Sequence, residues 1–312
     1  MNIFTQVIVL FSIVGVGFLC KKLKVISNQM NLDVGNLLVY VSMPAMIITS
    51  LSSFEYSPKM MSNSGKILII SFSMYCLFII LSYILPRIVA VKDKVFDLFQ
   101  FVIVFGNTGF LGFPVAYSIF GKEGLFYMAV CDICYSIFVW TFGVMVLSRH
   151  KSGGKTSMKQ SMLTMVKQCS NPNIIAIIIG FIVFAASVKL PAIIAMPLSL
   201  LSSLTTPLAM IFIGSMLSDI PFMEIICDWK VIFICSQRLL LLPVIVFSLL
   251  TLLGRQGFIL SVPVLYAAMP AASSTPIMAQ KYGNDGHLAS KLVFVSTMLS
   301  MLTIPLVASF IS

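Results

Sequence analysis

The chain of 312 residues is 59% hydrophobic and only 10% charged, whereas an ordinary soluble domain has roughly 25% charged residues. This composition excludes an ordinary water-soluble fold, and the mean hydropathy of +1.05 is typical of a membrane protein. The formal net charge of +10 does not indicate a nucleic-acid partner, because the basic residues are confined to short segments between apolar stretches.

Apolar stretches recur along the whole chain, and each is long enough to cross roughly 30 Å of hydrocarbon. The first is followed rather than preceded by positive charge, at Lys21, Lys22 and Lys24, so we expect a retained helix and not a signal peptide. We predict an all-α integral membrane protein with ten transmembrane helices. The predicted spans are residues 3–20, 33–51, 66–88, 97–119, 123–148, 172–189, 193–218, 229–253, 258–281 and 287–311.

The Lys and Arg residues between the spans predict the orientation. If the helices alternate across the bilayer, the odd-numbered loops hold 14 of them and the even-numbered loops hold five. Cytoplasmic loops carry the excess of positive charge, so the odd-numbered loops are expected in the cytoplasm of a plasma or inner membrane, with both termini outside. The segment 149–170 is rich in Ser, Gly and Lys, which predicts a cytoplasmic linker between residues 1–148 and 171–312.

The two halves of the chain resemble each other at a nearly constant offset. Pro44 aligns with Pro207 at an offset of 163, and Pro114 aligns with Pro276 at an offset of 162. Each half contains five crossings, an odd number, so the second half must enter the membrane from the opposite side. We therefore predict two inverted five-helix repeats.

Segments four and nine concentrate helix breakers near the middle of the membrane, in residues 106–114 and 268–276. Proline removes an N–H and glycine weakens a helix, so both segments are predicted to be interrupted. Where each helix restarts, its first N–H groups would point into a cavity and attract a carboxylate. The alternative is that proline and glycine are simply commoner in membrane helices. The predicted structural breaks are Pro44, Pro207 and Pro270.

Small polar side chains adjoin these interruptions and are suited to orienting a carboxylate. Their alternative role is to bond their own helix carbonyls or to pack between helices. The sequence contains no nucleophile paired with a base and no ATP-binding motif, so we expect neither an enzyme nor a cofactor or metal. The predicted substrate residues are Asn107, Thr108, Gly112, Pro114, Ser273, Ser274, Thr275 and Pro276.

Two ionisable residues lie within the predicted spans, Asp132 in the fifth and Arg238 in the eighth. Charges inside a membrane are candidates for function. A rise of about 1.5 Å per residue puts the two at depths that differ by only about 5 Å. They could form a structural salt bridge. The alternative hypothesis is that they couple transport to protons, with Asp132 taking up and releasing a proton in each cycle.

Four local patterns carry a family resemblance over nearly the full chain. They are Tyr40-Val41-Ser42-Met43-Pro44-Ala45, Gly106-Asn107-Thr108 with Gly112-Phe113-Pro114, Asn171-Pro172-Asn173 with Gly180, and Met269-Pro270 through Tyr282. In these motifs and their order the chain resembles the auxin efflux carrier family, which includes plant auxin exporters and bacterial malate permeases.

The resemblance implies a fold like that of bile-acid and sodium/proton transporters. Helices 1, 2, 6 and 7 would form a scaffold, and helices 3, 4, 5, 8, 9 and 10 a moving transport domain in an elevator-type alternating-access cycle. Helices four and nine would cross at Pro114 and Pro276, with Asn107 beside the substrate carboxylate. The short linker at 149–170 favours a malate-like carboxylate over auxin as the substrate.

The leading hypothesis is therefore a secondary active transporter of a small organic anion. A sodium- or proton-coupled antiporter, or a bile-acid-type symporter, is the nearest alternative, and a non-transporting membrane receptor is a different class. The expected partners are a small carboxylate and the lipid bilayer, with proton coupling and a homodimer left open, and no nucleic acid.

Overall fold

The computed structural model describes residues 3–149, 172–218 and 228–311, and the regular elements within them are helices. Seven of these helices are long and apolar enough to cross a membrane, and α6 and α9 are shorter apolar helices. The all-α membrane class is thus confirmed for the described part. The helices are α1 (Ile3–Lys22), α2 (Asn28–Leu51), α3 (Pro58–Ile88), α4 (Asp93–Val104), α5 (Thr108–Leu147), α6 (Pro172–Ala185), α7 (Ala192–Ser218), α8 (Trp229–Leu252), α9 (Phe258–Ala267), α10 (Thr275–Lys281) and α11 (Gly286–Ile311).

The predicted linker at 149–170 lies, apart from Arg149, outside the described residues. Arg149 itself follows the end of α5, and its guanidinium forms an ion pair of 2.8 Å with the buried carboxylate of Asp97 on α4. The same guanidinium donates to the Gln100 side chain at 3.3 Å. This cluster fixes the end of α5 against α4.

Several prolines follow a π-helical turn, in which the backbone is widened by one residue. Proline lacks an N–H and its ring clashes with the carbonyl four residues earlier, and a local π turn relieves such a clash. The predicted break at Pro44 is therefore a widened turn inside the continuous helix α2. The pairs are Leu38–Ser42 with Pro44, Thr108–Gly112 with Pro114, and Gln237–Leu241 with Pro243.

Pro207 does not break its helix. It lies inside α7, which runs without interruption from Ala192 to Ser218, so the prediction of a break at Pro207 is wrong. A membrane helix has no water with which to replace its backbone bonds, so it tolerates proline by small adjustments and by bonds from neighbouring side chains.

The described residues form two compact units. The first unit comprises those in Met1–Ile67, Gly109–Val130 and Cys169–Asp219. The second unit comprises those in Leu68–Thr108, Cys131–Gln168 and Ile220–Ser312.

Glycines allow close helix packing in the first unit. A Cβ on Gly17 of α1 would collide with the Ile211 carbonyl of α7, and a Cβ on Gly214 of α7 would collide with the Val14 carbonyl of α1. Small residues at such contacts let membrane helices approach closely and gain packing energy. The pair α1 and α7 is accordingly one of the main contacts of this unit.

Candidate functional site

Both segments with helix breakers are interrupted in the second unit. α4 ends at Val104 and α5 begins at Thr108, and α9 ends at Ala267 and α10 begins at Thr275. The residues between them, 105–107 and 268–274, are outside regular helix.

The two interruptions pair with each other through their backbones. Gly106 and Ala271 form an antiparallel bridge. The backbone groups that the breaks release thus satisfy one another, as a low-dielectric interior requires. The flanking hydrogen bonds run from Asn107 N to Pro270 O at 2.7 Å and from Ala272 N to Phe105 O at 3.2 Å.

The position of this crossing differs from the one that the resemblance implies. Helices four and nine were expected to cross at Pro114 and Pro276, but the backbones meet at Gly106 and Ala271. Pro276 lies instead in the first turn of α10, and Pro114, in the first unit, follows a π turn that ends at Gly112. Proline suits the first turn of a helix because its missing N–H would have no helical partner there. The two backbones thus pair at residues other than these prolines.

Arg238 holds the carboxyl ends of both interrupted helices. Its side chain is 1% exposed. The guanidinium donates from Nη1 to the Ile103 carbonyl at 2.8 Å and from Nε to the Met269 carbonyl at 3.1 Å. Ile103 lies in the last turn of α4, and Met269 lies two residues after the end of α9. One side chain thus caps two helices.

The charge of Arg238 is matched by the dipoles of the helices that it caps. Each helix carboxyl end carries roughly half a negative charge, so the ends of α4 and α9 together offer roughly one. The Phe78 ring adds a cation–π contact, with its centroid 5.6 Å from the guanidinium carbon. A buried cation is therefore compensated without an acidic partner.

Asp132 is bound at the amino end of a helix, whereas Arg238 caps the carboxyl ends of two helices. Its Oδ1 accepts a hydrogen bond of 2.8 Å from the Thr108 hydroxyl, at the first residue of α5. The Tyr266 hydroxyl donates to the same oxygen at 3.4 Å, and lies 2.9 Å from the Tyr75 hydroxyl. A helix amino end favours negative charge, so Thr108 and the start of α5 stabilise this buried carboxylate.

Of the two alternatives left open for Asp132 and Arg238, the salt bridge between them is not formed. Asp132 receives hydrogen bonds from Thr108 and Tyr266, while Arg238 donates to main-chain carbonyls, and these two described residues share no ion pair. The estimate of equal depth does not determine the direction in which a side chain points. Each charge is compensated separately by a helix end.

Comparisons with known proteins identify the family. A sequence profile described as "Membrane transport protein" matches residues 2–308. The chain belongs to this family, that of the auxin efflux carriers. The predicted resemblance is confirmed, and the protein is a membrane transporter.

Two archaeal relatives also match this transporter. An uncharacterized transporter of Methanocaldococcus jannaschii is 29% identical over 302 residues, which cover 96% of this chain and 96% of the relative. An uncharacterized transporter of Methanothermobacter thermautotrophicus is 31% identical over 202 residues, or 64% of this chain and 63% of the relative. The family and these relatives are transporters, in agreement with the expectation of a non-enzymatic function.

The predicted substrate residues with a hydroxyl or amide side chain fall into two groups. The Thr108 hydroxyl is engaged by Asp132, and the Thr275 hydroxyl donates to the Ala272 carbonyl of its own chain segment at 2.5 Å. These two threonines therefore serve the local structure. Asn107 and Ser273 lie together at the crossing, where the Ser273 hydroxyl donates to Asn107 Oδ1 at 3.5 Å; Ser274 is half-buried at the start of α10.

Sequence reasoning missed the part that Tyr75 and Tyr266 play in this transporter. Both rings are buried, and their hydroxyls extend the hydrogen-bonded chain from Asp132. A signal was present, because a tyrosine hydroxyl inside an apolar span needs a hydrogen-bond partner. The sequence could not say which partner.

We expect Gly106→Ala to destabilise the transporter. An added Cβ would collide with the Arg238 guanidinium and lie 3.3 Å from the Met269 Cβ. Arg238 would be displaced from the carbonyls that it caps, so the detergent-solubilised variant should melt at a lower temperature than the wild type. Gly109→Ala is the control, because nothing lies within 4 Å of a Cβ at Gly109. Equal melting temperatures for the two variants would contradict the close approach.

Proposed function

We propose that this transporter is a secondary active carrier of a small organic anion, malate-like or another carboxylate. The observation that carries the proposal is the Asn107 side chain, which is buried at the crossing and whose Nδ2 donates to no described residue. Asn107 directly precedes α5, whose amino end is already matched by Asp132, so the Nδ2 hydrogens of Asn107 are the groups offered to a substrate. A carboxylate oxygen is the acceptor that such a donor favours.

For the architecture we propose ten membrane crossings in two inverted repeats. The 40 residues of α5 are twice the number that one crossing needs, and Gly121, with φ of +65°, interrupts its helical backbone. One crossing would consist of α4 and the start of α5, and the remainder of α5 would be the next crossing. Another crossing would consist of α9 and α10. In the first unit, the Thr205 hydroxyl donates to the Ser42 carbonyl at 2.9 Å, and these residues are 163 positions apart, which equals the repeat offset.

Packing within the first unit supports the same repeat. Gly17 and Gly180 align at the offset of 163. Gly17 of α1 packs against Ile211 of α7, and Gly180 of α6 packs against Leu51 of α2. The repeat relates α1 to α6 and α2 to α7. The contact between α1 and α7 therefore corresponds to the contact between α6 and α2, as a pseudo-twofold axis requires.

We propose an elevator-type cycle with a scaffold and a transport domain. The first unit contains α1, α2, α6 and α7, the helices expected in the scaffold, together with residues 58–67 and 109–130. The second unit contains α4 and α8 to α11. This division supports the proposal. Both termini would lie outside and the 149–170 linker in the cytoplasm.

Counterflow in proteoliposomes tests the function. Vesicles loaded with unlabelled malate should accumulate labelled malate, and a panel of succinate, citrate and indole-3-acetate as competitors should define the substrate class. Vesicles with the Asn107→Ala protein are the control. Binding of malate without counterflow would favour a receptor, and sodium-dependent uptake of bile acid would favour the symporter alternative.

We expect Asp132→Asn to uncouple transport from protons. Asparagine has the shape of aspartate and can accept the hydrogen bond from Thr108, but it cannot bind or release a proton. Uptake driven by a pH gradient should fall to the rate without a gradient, while exchange at equal pH continues. Asp33→Asn, at an exposed position in α2, should leave both rates unchanged. If Asp132→Asn retains the normal pH dependence and gradient-driven uptake, Asp132 has no coupling role.

A further inference from the structure

A polar cavity lies within the first unit, apart from the crossing of the interrupted helices. Its volume is about 420 Å³, within the range of about 300–1,000 Å³ that is usual for small-molecule sites. Most of its lining side chains carry hydroxyl groups, although they belong to membrane helices. The hydroxyl-bearing residues are Thr49, Ser50, Tyr117, Ser118, Ser199, Ser202, Ser203 and Thr206, and Met46 and Lys122 complete the lining.

The hydroxyls of α7 follow a helical repeat. Ser202 and Ser203 lie three and four residues after Ser199, and Thr206 lies four and three residues after them. All four therefore lie on one face of the helix. α2 presents Met46, and Thr49 and Ser50 one turn further along, to the same cavity. A polar face on a membrane helix is unfavourable against lipid and indicates contact with water or with a polar solute.

The main chain that carries the cation of this cavity, Lys122, is fixed by a hydrogen bond. Lys122 follows Gly121, whose left-handed φ of +65° interrupts α5. The buried Ser50 hydroxyl donates to the Lys122 carbonyl at 2.6 Å. The Lys122 side chain is exposed and forms no salt bridge with a described residue. Its charge is therefore available to a solute.

A second cavity, of about 540 Å³, shares Thr49, Lys122 and Ser199 with the first. Lys189 also lines it, but the Lys189 ammonium lies 2.9 Å from the Glu55 carboxylate, which raises the pKa of Lys189 and compensates its charge. The Thr49 hydroxyl, which is shared by both cavities, is buried and has no hydrogen-bond partner among the described residues. The uncompensated groups of both cavities thus converge on Lys122 and Thr49.

We infer that this cavity is a capture site for a small carboxylate, in which Lys122 binds the anionic group and the hydroxyls of α2 and α7 bind its other oxygens. The inference rests on the proposed transport of an organic anion. By the predicted topology the loop at Lys122 faces outside, so the site would serve anions arriving from that side.

Uptake kinetics in oriented proteoliposomes test the capture site. With malate as the probe, Lys122→Gln should raise the KM by about two- to fivefold, the effect of an exposed ion pair, and leave the maximal rate unchanged. The increase should occur from one side of the membrane only and should disappear at high salt, since salt screens exposed charges. Lys122→Arg should retain the wild-type KM, and so should Lys59→Gln, which changes an exposed lysine that does not line either cavity.

Direct binding separates this inference from the proposed function. We expect malate to bind to purified Asn107→Ala protein in zwitterionic nanodiscs, measured by calorimetry, and the added change Lys122→Gln to weaken that binding by about two- to fivefold. Loss of flux in Asn107→Ala with a normal KM and normal binding in Lys122→Gln would overturn the capture site and leave the carrier intact. A second set of nanodiscs that contain an anionic lipid tests the other occupant. If the site binds only that lipid and malate does not compete, the capture site for a carboxylate is also overturned and the occupant is a lipid headgroup.

Discussion

Replacement of Arg238 by methionine should destabilise the protein more than any other single change proposed for it. Methionine fills a similar volume but leaves the carbonyls of Ile103 and Met269 without their donors. A hydrogen bond from a charged donor contributes about 1.5–3 kcal/mol, so the loss of two should lower the melting temperature by roughly 5–15 °C. Thermal unfolding in detergent, followed by tryptophan or dye fluorescence, measures the change, and flux should be lost with it.

Two further variants give this prediction its controls. Arg238→Lys keeps the charge but has no planar fork with which to bridge two carbonyls, so its melting temperature should lie between those of the wild type and Arg238→Met. Arg255→Met removes an exposed arginine of the second unit and should change little. A wild-type melting temperature for Arg238→Met would contradict the capping role.

Replacement of Asn107 by alanine should reduce carboxylate uptake by roughly 10- to 150-fold at substrate concentrations below the KM. The estimate equates the lost interaction with one charge-assisted hydrogen bond, about 1.5–3 kcal/mol. The Asn107 amide hydrogen of the main chain still donates to Pro270 in the variant, so the crossing should remain folded. Initial rates of labelled malate uptake in proteoliposomes measure the loss.

The melting temperature of the Asn107→Ala protein distinguishes a lost ligand contact from a lost fold. It should stay within a few degrees of the wild-type value, because within the described part of the chain the side chain makes one long hydrogen bond, with Ser273. Asn36→Ala, at an exposed position in α2, should retain full uptake. Normal flux in the Asn107→Ala protein would refute the assignment of the substrate site.

The sequence predicted the interrupted segments because helix breakers act locally. The runs 106–114 and 268–276 contain enough glycine and proline to disfavour continuous helix in any context. It did not predict that the backbones pair at Gly106 and Ala271, where Arg238 approaches so closely that it leaves no room for a Cβ at Gly106. That approach is a tertiary contact, and no local pattern encodes it.

The directions in which the buried side chains point also could not be predicted from the sequence. Arg238 lies in the π turn Gln237–Leu241, where the extra residue rotates the side chains relative to a regular helix. A depth calculation with the regular rise per residue cannot represent that rotation, so it left open a pair between Arg238 and Asp132 that the structure does not form. The sequence also predicted a break at Pro207, but α7 continues through that residue.

The separate compensation of Asp132 and Arg238 by helix ends affects the electrostatics of substrate binding. Asp132 and Arg238 are matched by helix ends that were fixed when the chain folded, and not by each other. The anion that we propose to bind beside Asn107 would therefore have no ion pair to separate and few dipoles to turn. Such a preorganised field would keep the reorganisation energy of substrate binding small.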